Sequence, residues 1–125
     1  MIIGIGNDIV HVSRCEAVLA RHGERAVERL LGERERIRLS GHRQPGAYLA
    51  KRFAAKEAFV KALGLGLRHG MRWTDIQVVN DSLGRPVMLL DGRARALADA
   101  AQVRCIHVSL SDEKDLASAV VVLES

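Results

Sequence analysis

The stretch Ala47-Tyr48-Leu49-Ala50-Lys51-Arg52-Phe53-Ala54-Ala55-Lys56-Glu57-Ala58-Phe59-Val60-Lys61-Ala62-Leu63, followed by Gly64, is the strongest helix in the chain. It has no interior glycine or proline, and it stops at a glycine, a common residue just past a helix end. At about 100° per residue, Leu49, Phe53 and Val60 fall on one stripe and form the expected core face. A neighbouring stripe carries Ala50 and Ala54 beside Glu57 and Lys61. Its lack of side-chain bulk lets another element lie close to the helix backbone. Glu57 and Lys61 are four residues apart and share a face, as a solvated pair or as part of a site. Lys56 falls near Leu49, Val60 and Leu63, so it snorkels from the core edge or projects into a polar site. Arg52 borders the same sector.

Upstream of this helix, Gln44-Pro45-Gly46 is the clearest breaker in the chain. Before it, Glu24–Leu31 and Glu33–Leu39 read as short, charged helices. Ser13 with Glu16 reads as a capping box opening a helix to about His22. The apolar segment Ile2–Val10 reads as a buried strand ending near Asn7-Asp8, with Gly4 and Gly6 inside it. Downstream, Asp75–Asn80 alternates as a strand does, Asp81-Ser82-Leu83-Gly84 is a turn, and Pro86–Leu90 completes a hairpin. Gly92–Ala101 is a surface helix. Val103–Ser111 and Leu116–Glu124 are two further strands around the polar Asp112-Glu113-Lys114-Asp115. One strand, then helices, then mostly antiparallel strands make an α+β chain. Residues 1–125 form one domain, a mostly antiparallel sheet packed on the long central helix.

Only four aromatic residues (Tyr48, Phe53, Phe59 and Trp73) occur among 125, so the core is built from Leu, Val, Ile and Ala. No apolar run reaches the ~18 residues of a membrane span. The opening Met1-Ile2-Ile3-Gly4-Ile5-Gly6 lacks the basic segment and long apolar run of a secretory signal, so a cytoplasmic location is expected. Cys15 and Cys105 form no CxxC pair, and two buried thiols in a reducing compartment are expected. A net charge of +4 favours an anionic partner: nucleic acid, a phosphorylated cofactor or an acidic protein. Scarce aromatics weaken the first of these.

Asp8, at the end of an apolar strand, is an exposed terminus or a metal ligand. Glu57 is the natural second carboxylate for such a site. Mg²⁺ uses one or two carboxylates and completes its shell with water and substrate phosphates. No nitrogen and sulfur cluster suits zinc. Gly64-Leu65-Gly66 serves helix termination or close approach of backbone to a ligand, and is not a dinucleotide fingerprint. Arg14, Arg21 and Arg25, with Val18 between them, share a stripe if the first helix continues past Gly23. That stripe is a salt-bridged face with Glu16, Glu24 and Glu28, or a docking strip for an acidic helix. His107, beside Ser109, reads as a packed or hydrogen-bonded strand residue rather than a base.

Gly4-Ile5-Gly6-Asn7-Asp8-Ile9-Val10 followed by Arg14 resembles the opening of the holo-acyl-carrier-protein synthases, a family of phosphopantetheinyl transferases. Arg52-Phe53-Ala54-Ala55-Lys56-Glu57-Ala58-Phe59-Val60-Lys61-Ala62-Leu63-Gly64 resembles their signature helix. Trp73-Thr74-Asp75-Ile76, Gly84-Arg85-Pro86 and His107-Val108-Ser109-Leu110-Ser111 continue the likeness in order, which is weakest over residues 23–45. The resemblance implies transfer of 4′-phosphopantetheine from coenzyme A to a serine of apo-acyl carrier protein, in support of fatty acid biosynthesis. It implies Asp8 and Glu57 as Mg²⁺ ligands, with Glu57 and Lys61 as the catalytic pair. Arg52, Lys56, Lys61, Gly64 and Gly66 are then the candidate contacts to coenzyme A. Arg14, Val18, Arg21 and Arg25 would face acyl carrier protein, and homotrimers with sites at subunit interfaces are expected. Three positions depart from the family pattern: Leu65 replaces a threonine, Asp112 a histidine, and Leu116 lies where a tyrosine is often found. The alternative reading is a non-enzymatic basic module that binds an acidic protein or nucleic acid.

Overall fold

The computed structural model describes residues 1–125. Its elements are β1 (Ile2–His11), α1 (Val12–His22), α2 (Glu24–Leu30), α3 (Glu33–Ser40), α4 (Pro45–Leu63), β2 (Ile76–Asn80), β3 (Pro86–Leu90), α5 (Gly92–Ala100), β4 (Cys105–Glu113) and β5 (Leu116–Glu124). A single 3₁₀ turn, Trp73–Asp75, precedes β2. Strands β1, β5 and β4 form an antiparallel sheet in that order, and β2–β3 is a separate hairpin. The α+β expectation holds, with α4 buried at the centre.

The small residues explain that centre. Ala50, Ala54, Ala55, Ala58 and Ala62 of α4 are all buried, as are Ala117, Ala119 and Val121 of β5. A Cβ placed on Gly6 would lie 2.0 Å from the Ala58 carbonyl oxygen, and one on Gly4 would lie 2.0 Å from that of Ala62. The backbone of β1 therefore rests directly on α4, which only glycine at 4 and 6 permits. Side chains alternate along a strand, so Asp8 and Val10 share the glycines' face. The bare stripe read from the sequence is the bed of β1.

Four expectations are corrected. β1 does not end near Asp8: Asp8 pairs with Ala119, and the ladder runs on to His11–Leu116. Nor is β1 buried on both sides. Ile5 and Ile9 are 64% and 63% exposed, and Ile3, Val120 and Leu116 are exposed with them. Ser13 is not the N-cap of α1, which starts at Val12. Instead Asp115, from the β4–β5 turn, accepts hydrogen bonds from the Ser13 N–H (2.8 Å) and hydroxyl (2.9 Å). A carboxylate from the far end of the chain thus faces the positive helix terminus. Those hydrogen bonds hold Asp115 below the usual carboxylate range. Finally, Cys15 is buried but Cys105 is exposed.

The hairpin forms as read. Asp81 accepts from the backbone N–H groups of Leu83 and Arg85, both at 2.9 Å, and Gly84 takes the positive φ the turn requires.

Candidate active site

Because β1 lies on α4, Asp8 meets the helix turn carrying Glu57 and Lys61. The Lys61 ammonium donates to Asp8 Oδ1 at 2.9 Å and to the Asn7 carbonyl at 3.1 Å. Burial first, and then the negative charge of Asp8, push the Glu57 carboxyl above its ordinary range, while Lys61 opposes them. The hydrogen bond to Asp8 raises Lys61, and the charges of Asp8 and Glu57 add to that, so its ammonium stays protonated. The cluster is two carboxylates from two elements and one cation.

This donor set suits a hard divalent ion. Two converging carboxylates disfavour each other's ionised form, which a cation between them relieves. No group of three or more His, Cys, Asp or Glu side chains gathers anywhere in the chain. A pair of carboxylates with room for water and phosphate oxygens is what Mg²⁺ accepts and zinc does not.

The other expected contacts scatter. Lys56 is not at this site. Its ammonium is fully buried and donates to Glu35 Oε1, the Leu30 carbonyl (2.7 Å) and the Trp73 carbonyl (2.9 Å), the Glu35 contact being 2.6 Å. Glu35 completes its own shell with the N–H groups of Gly32 (3.0 Å) and Val78 (2.9 Å). Burial lowers Lys56, and the Glu35 carboxylate works against that. The pair ties α2, α3, β2 and the Trp73 turn to α4. Arg52 faces α3 and β2, away from Glu57. Gly64 and Gly66 both adopt positive φ, and the N–H groups of both return to the Val60 carbonyl. The Gly-Leu-Gly run therefore closes α4. His107 Nε2–H donates to the Glu124 carboxylate at 2.9 Å on the exposed sheet face, hydrogen-bonded as read.

α1 ends at Gly23 (φ 52°), so Arg25 belongs to α2 rather than to a continued helix. The arginines nevertheless share one surface. Val18 and His22 line two adjoining open grooves, one of about 580 Å³ with Arg14 and Arg21, the other of about 670 Å³ with Arg25 and Arg29. No ion pair joins these arginines to Glu16, Glu24 or Glu28. The salt-bridged alternative is absent, and four guanidinium groups stay free. Glu35, to which the sequence reading gave no role within the short charged helix, is the residue it missed. Its signal was an acid three residues after Gly32, able to reach back to that N–H.

Residues 4–121 match the 4′-phosphopantetheinyl transferase superfamily. A holo-[acyl-carrier-protein] synthase of Klebsiella pneumoniae (strain 342) is 48% identical over 124 residues, covering 99% of this chain and 98% of that protein. The crystal structure of the Neisseria meningitidis holo-[acyl-carrier-protein] synthase superposes with a TM-score of 0.94 at 36% identity, covering both chains in full. The Bacillus anthracis synthase in complex with CoA (3′,5′-ADP) superposes with a TM-score of 0.84 at 37% identity, covering 100% of this chain and 98% of that one.

Proposed function

We propose a function from a premise the likeness establishes: the chain belongs to the 4′-phosphopantetheinyl transferase superfamily, among its holo-acyl-carrier-protein synthases. It transfers 4′-phosphopantetheine from coenzyme A to a serine of apo-acyl carrier protein. The serine oxygen forms a bond to the phosphorus bearing pantetheine. The bond from that phosphorus to the bridging oxygen breaks, and adenosine 3′,5′-bisphosphate leaves. The observation that carries the assignment of residues is the convergence of Asp8, Glu57 and Lys61.

Glu57, on the helix turn that meets Asp8, would take the serine proton directly or through water. Lys61 places a permanent positive charge where phosphate oxygens arrive. Asp8 and Glu57 would hold Mg²⁺, which when bound neutralises charge on the pyrophosphate. Gly64 and Gly66 leave backbone open beside that helix end for the coenzyme. Intact mass spectrometry tests the reading: apo-acyl carrier protein incubated with this protein, coenzyme A and Mg²⁺ should gain one phosphopantetheine group. No gain, or a gain indifferent to chelator, removes the function or the metal respectively.

Arg14, Val18, Arg21 and Arg25 form the carrier-docking surface, since unpaired guanidinium groups around an apolar groove suit an acidic helix. Arg14→Glu/Arg21→Glu should raise KM for the carrier protein about tenfold or more with little change for coenzyme A. Equal effects on both substrates would remove the docking role.

The exposed Ile3, Ile5, Ile9 and Val120 face supports self-association, because an apolar sheet face of this kind rarely meets water in a stable monomer. A homotrimer that closes through this face is the proposed state. Sedimentation equilibrium at micromolar concentration should give three times the chain mass; a single-chain mass refutes the trimer.

A further inference from the structure

Helix α1 ends on His22, and that residue sits at a junction. Of all the side chains on this corner of the molecule, only Val18 and His22 line both adjoining grooves. Val18 is half-buried and floors them, while His22 is exposed. No ion pair holds the imidazole. It lies in the last turn of α1, where carbonyl groups without helix partners favour a positive charge.

The charges around it come from two helices. α1 supplies Arg14 and Arg21; α2 supplies Arg25 and Arg29, with Glu28 on the same wall and Glu24 just past Gly23. α4 also packs on α1 but lends no residue to either groove. Four guanidinium groups against two carboxylates leave positive charge in excess, which opposes a further proton on the ring in the free protein. An acidic helix seated over Val18 reverses the sign of that field. Its carboxylates then lie within the ~8 Å over which charges act in physiological salt. Arginine stays charged throughout, whereas histidine changes charge between about pH 5 and pH 8. His22 is therefore the group on this surface that a docked acid recharges near neutrality.

We propose that His22 is a specificity residue of this docking surface, taking up a proton as the acidic helix of the carrier protein seats. The inference rests on the docking role proposed above for Arg14, Val18, Arg21 and Arg25. Linkage fixes the sign: a proton gained on docking makes the complex tighter as pH falls and weaker as pH rises. Full uptake of one proton changes affinity by about tenfold per pH unit. An exposed ion pair delivers less, about two- to fivefold in total.

Titration calorimetry with apo-acyl carrier protein, in the absence of coenzyme A, tests this on wild type and His22→Gln at about pH 6 and about pH 8. Glutamine keeps a polar side chain at an exposed position and does not titrate. Between the two pH values wild type should gain at least about twofold more affinity than the variant. The carrier's own titrations are common to both proteins and cancel in that comparison. Repeating the titration near neutral pH in two buffers of different ionisation enthalpy counts protons directly. Wild type should take up a fraction of a proton that His22→Gln does not. A histidine that merely packs against the carrier would shift affinity equally at both pH values and leave the proton count unchanged. Binding that is intact, with the same pH profile and proton count in both proteins, overturns this proposal and leaves the docking surface standing. If wild type binds no carrier at either pH, both fall.

Discussion

Glu57→Gln is expected to cost about a hundredfold or more in kcat while leaving the fold intact, the usual scale for losing a general base. The substitution keeps the shape and removes both the proton acceptor and one of the two negative charges. Stability should move the opposite way. Glu57 has its carboxyl raised in the folded protein, so the folded state binds that proton more tightly than the unfolded chain does. The stabilisation this gives is present at low pH and is lost as pH rises through the folded value. At neutral pH without Mg²⁺ the ionised side chain is therefore a burden that glutamine lacks. Chemical denaturation in chelator should show the variant at least as stable as wild type. A variant that is both inactive and clearly less stable would mean that Glu57 supports the fold rather than the reaction. Full activity at saturating Mg²⁺ would remove it from the site.

Lys56→Met is expected to destabilise the protein by about 3–5 kcal/mol, the scale for breaking a buried pair from one side. Methionine fills much of the space but leaves the Glu35 carboxylate in the interior without its cation. It also leaves the Leu30 and Trp73 carbonyls without a donor. The double variant Lys56→Met/Glu35→Gln should recover part of the loss, because the uncompensated charge is gone and the amide oxygen still accepts from one of the Gly32 and Val78 N–H groups, which the carboxylate serves through separate oxygens. Urea unfolding of the two proteins measures the difference. A loss below about 1 kcal/mol in the single variant would mean that the pair is wet in solution.

The contrast between neighbours Lys56 and Glu57 shows what could be read from the chain alone. Glu57 and Lys61 were legible as partners because helix geometry places residues four apart on one face. The alanine stripe was legible as a bed for another element, and the glycines at 4 and 6 named the occupant once β1 was seen. The hairpin at Asp81-Ser82-Leu83-Gly84 declared itself through its turn residues. Lys56 misled because its partner, Glu35, is 21 residues away on a separate helix, where no local period links them. Ser13 misled in the same way: a cap was correctly expected there, but it is supplied from position 115. Arg52 was placed in the correct sector of α4. The residues it meets include Arg34 and Arg38, which line a small cavity with it and lie in the segment where the family likeness is weakest.

Strand β1 pairs with β5 and with no other strand, and Asp115 secures the start of α1. On a ribosome, the first ten residues emerge long before the segment that must lie beside them. Their amides have no ladder to join until residues 116–124 have left the exit tunnel. Asp8 of β1 and helix α1 after it thus reach their final positions only after β5 has emerged.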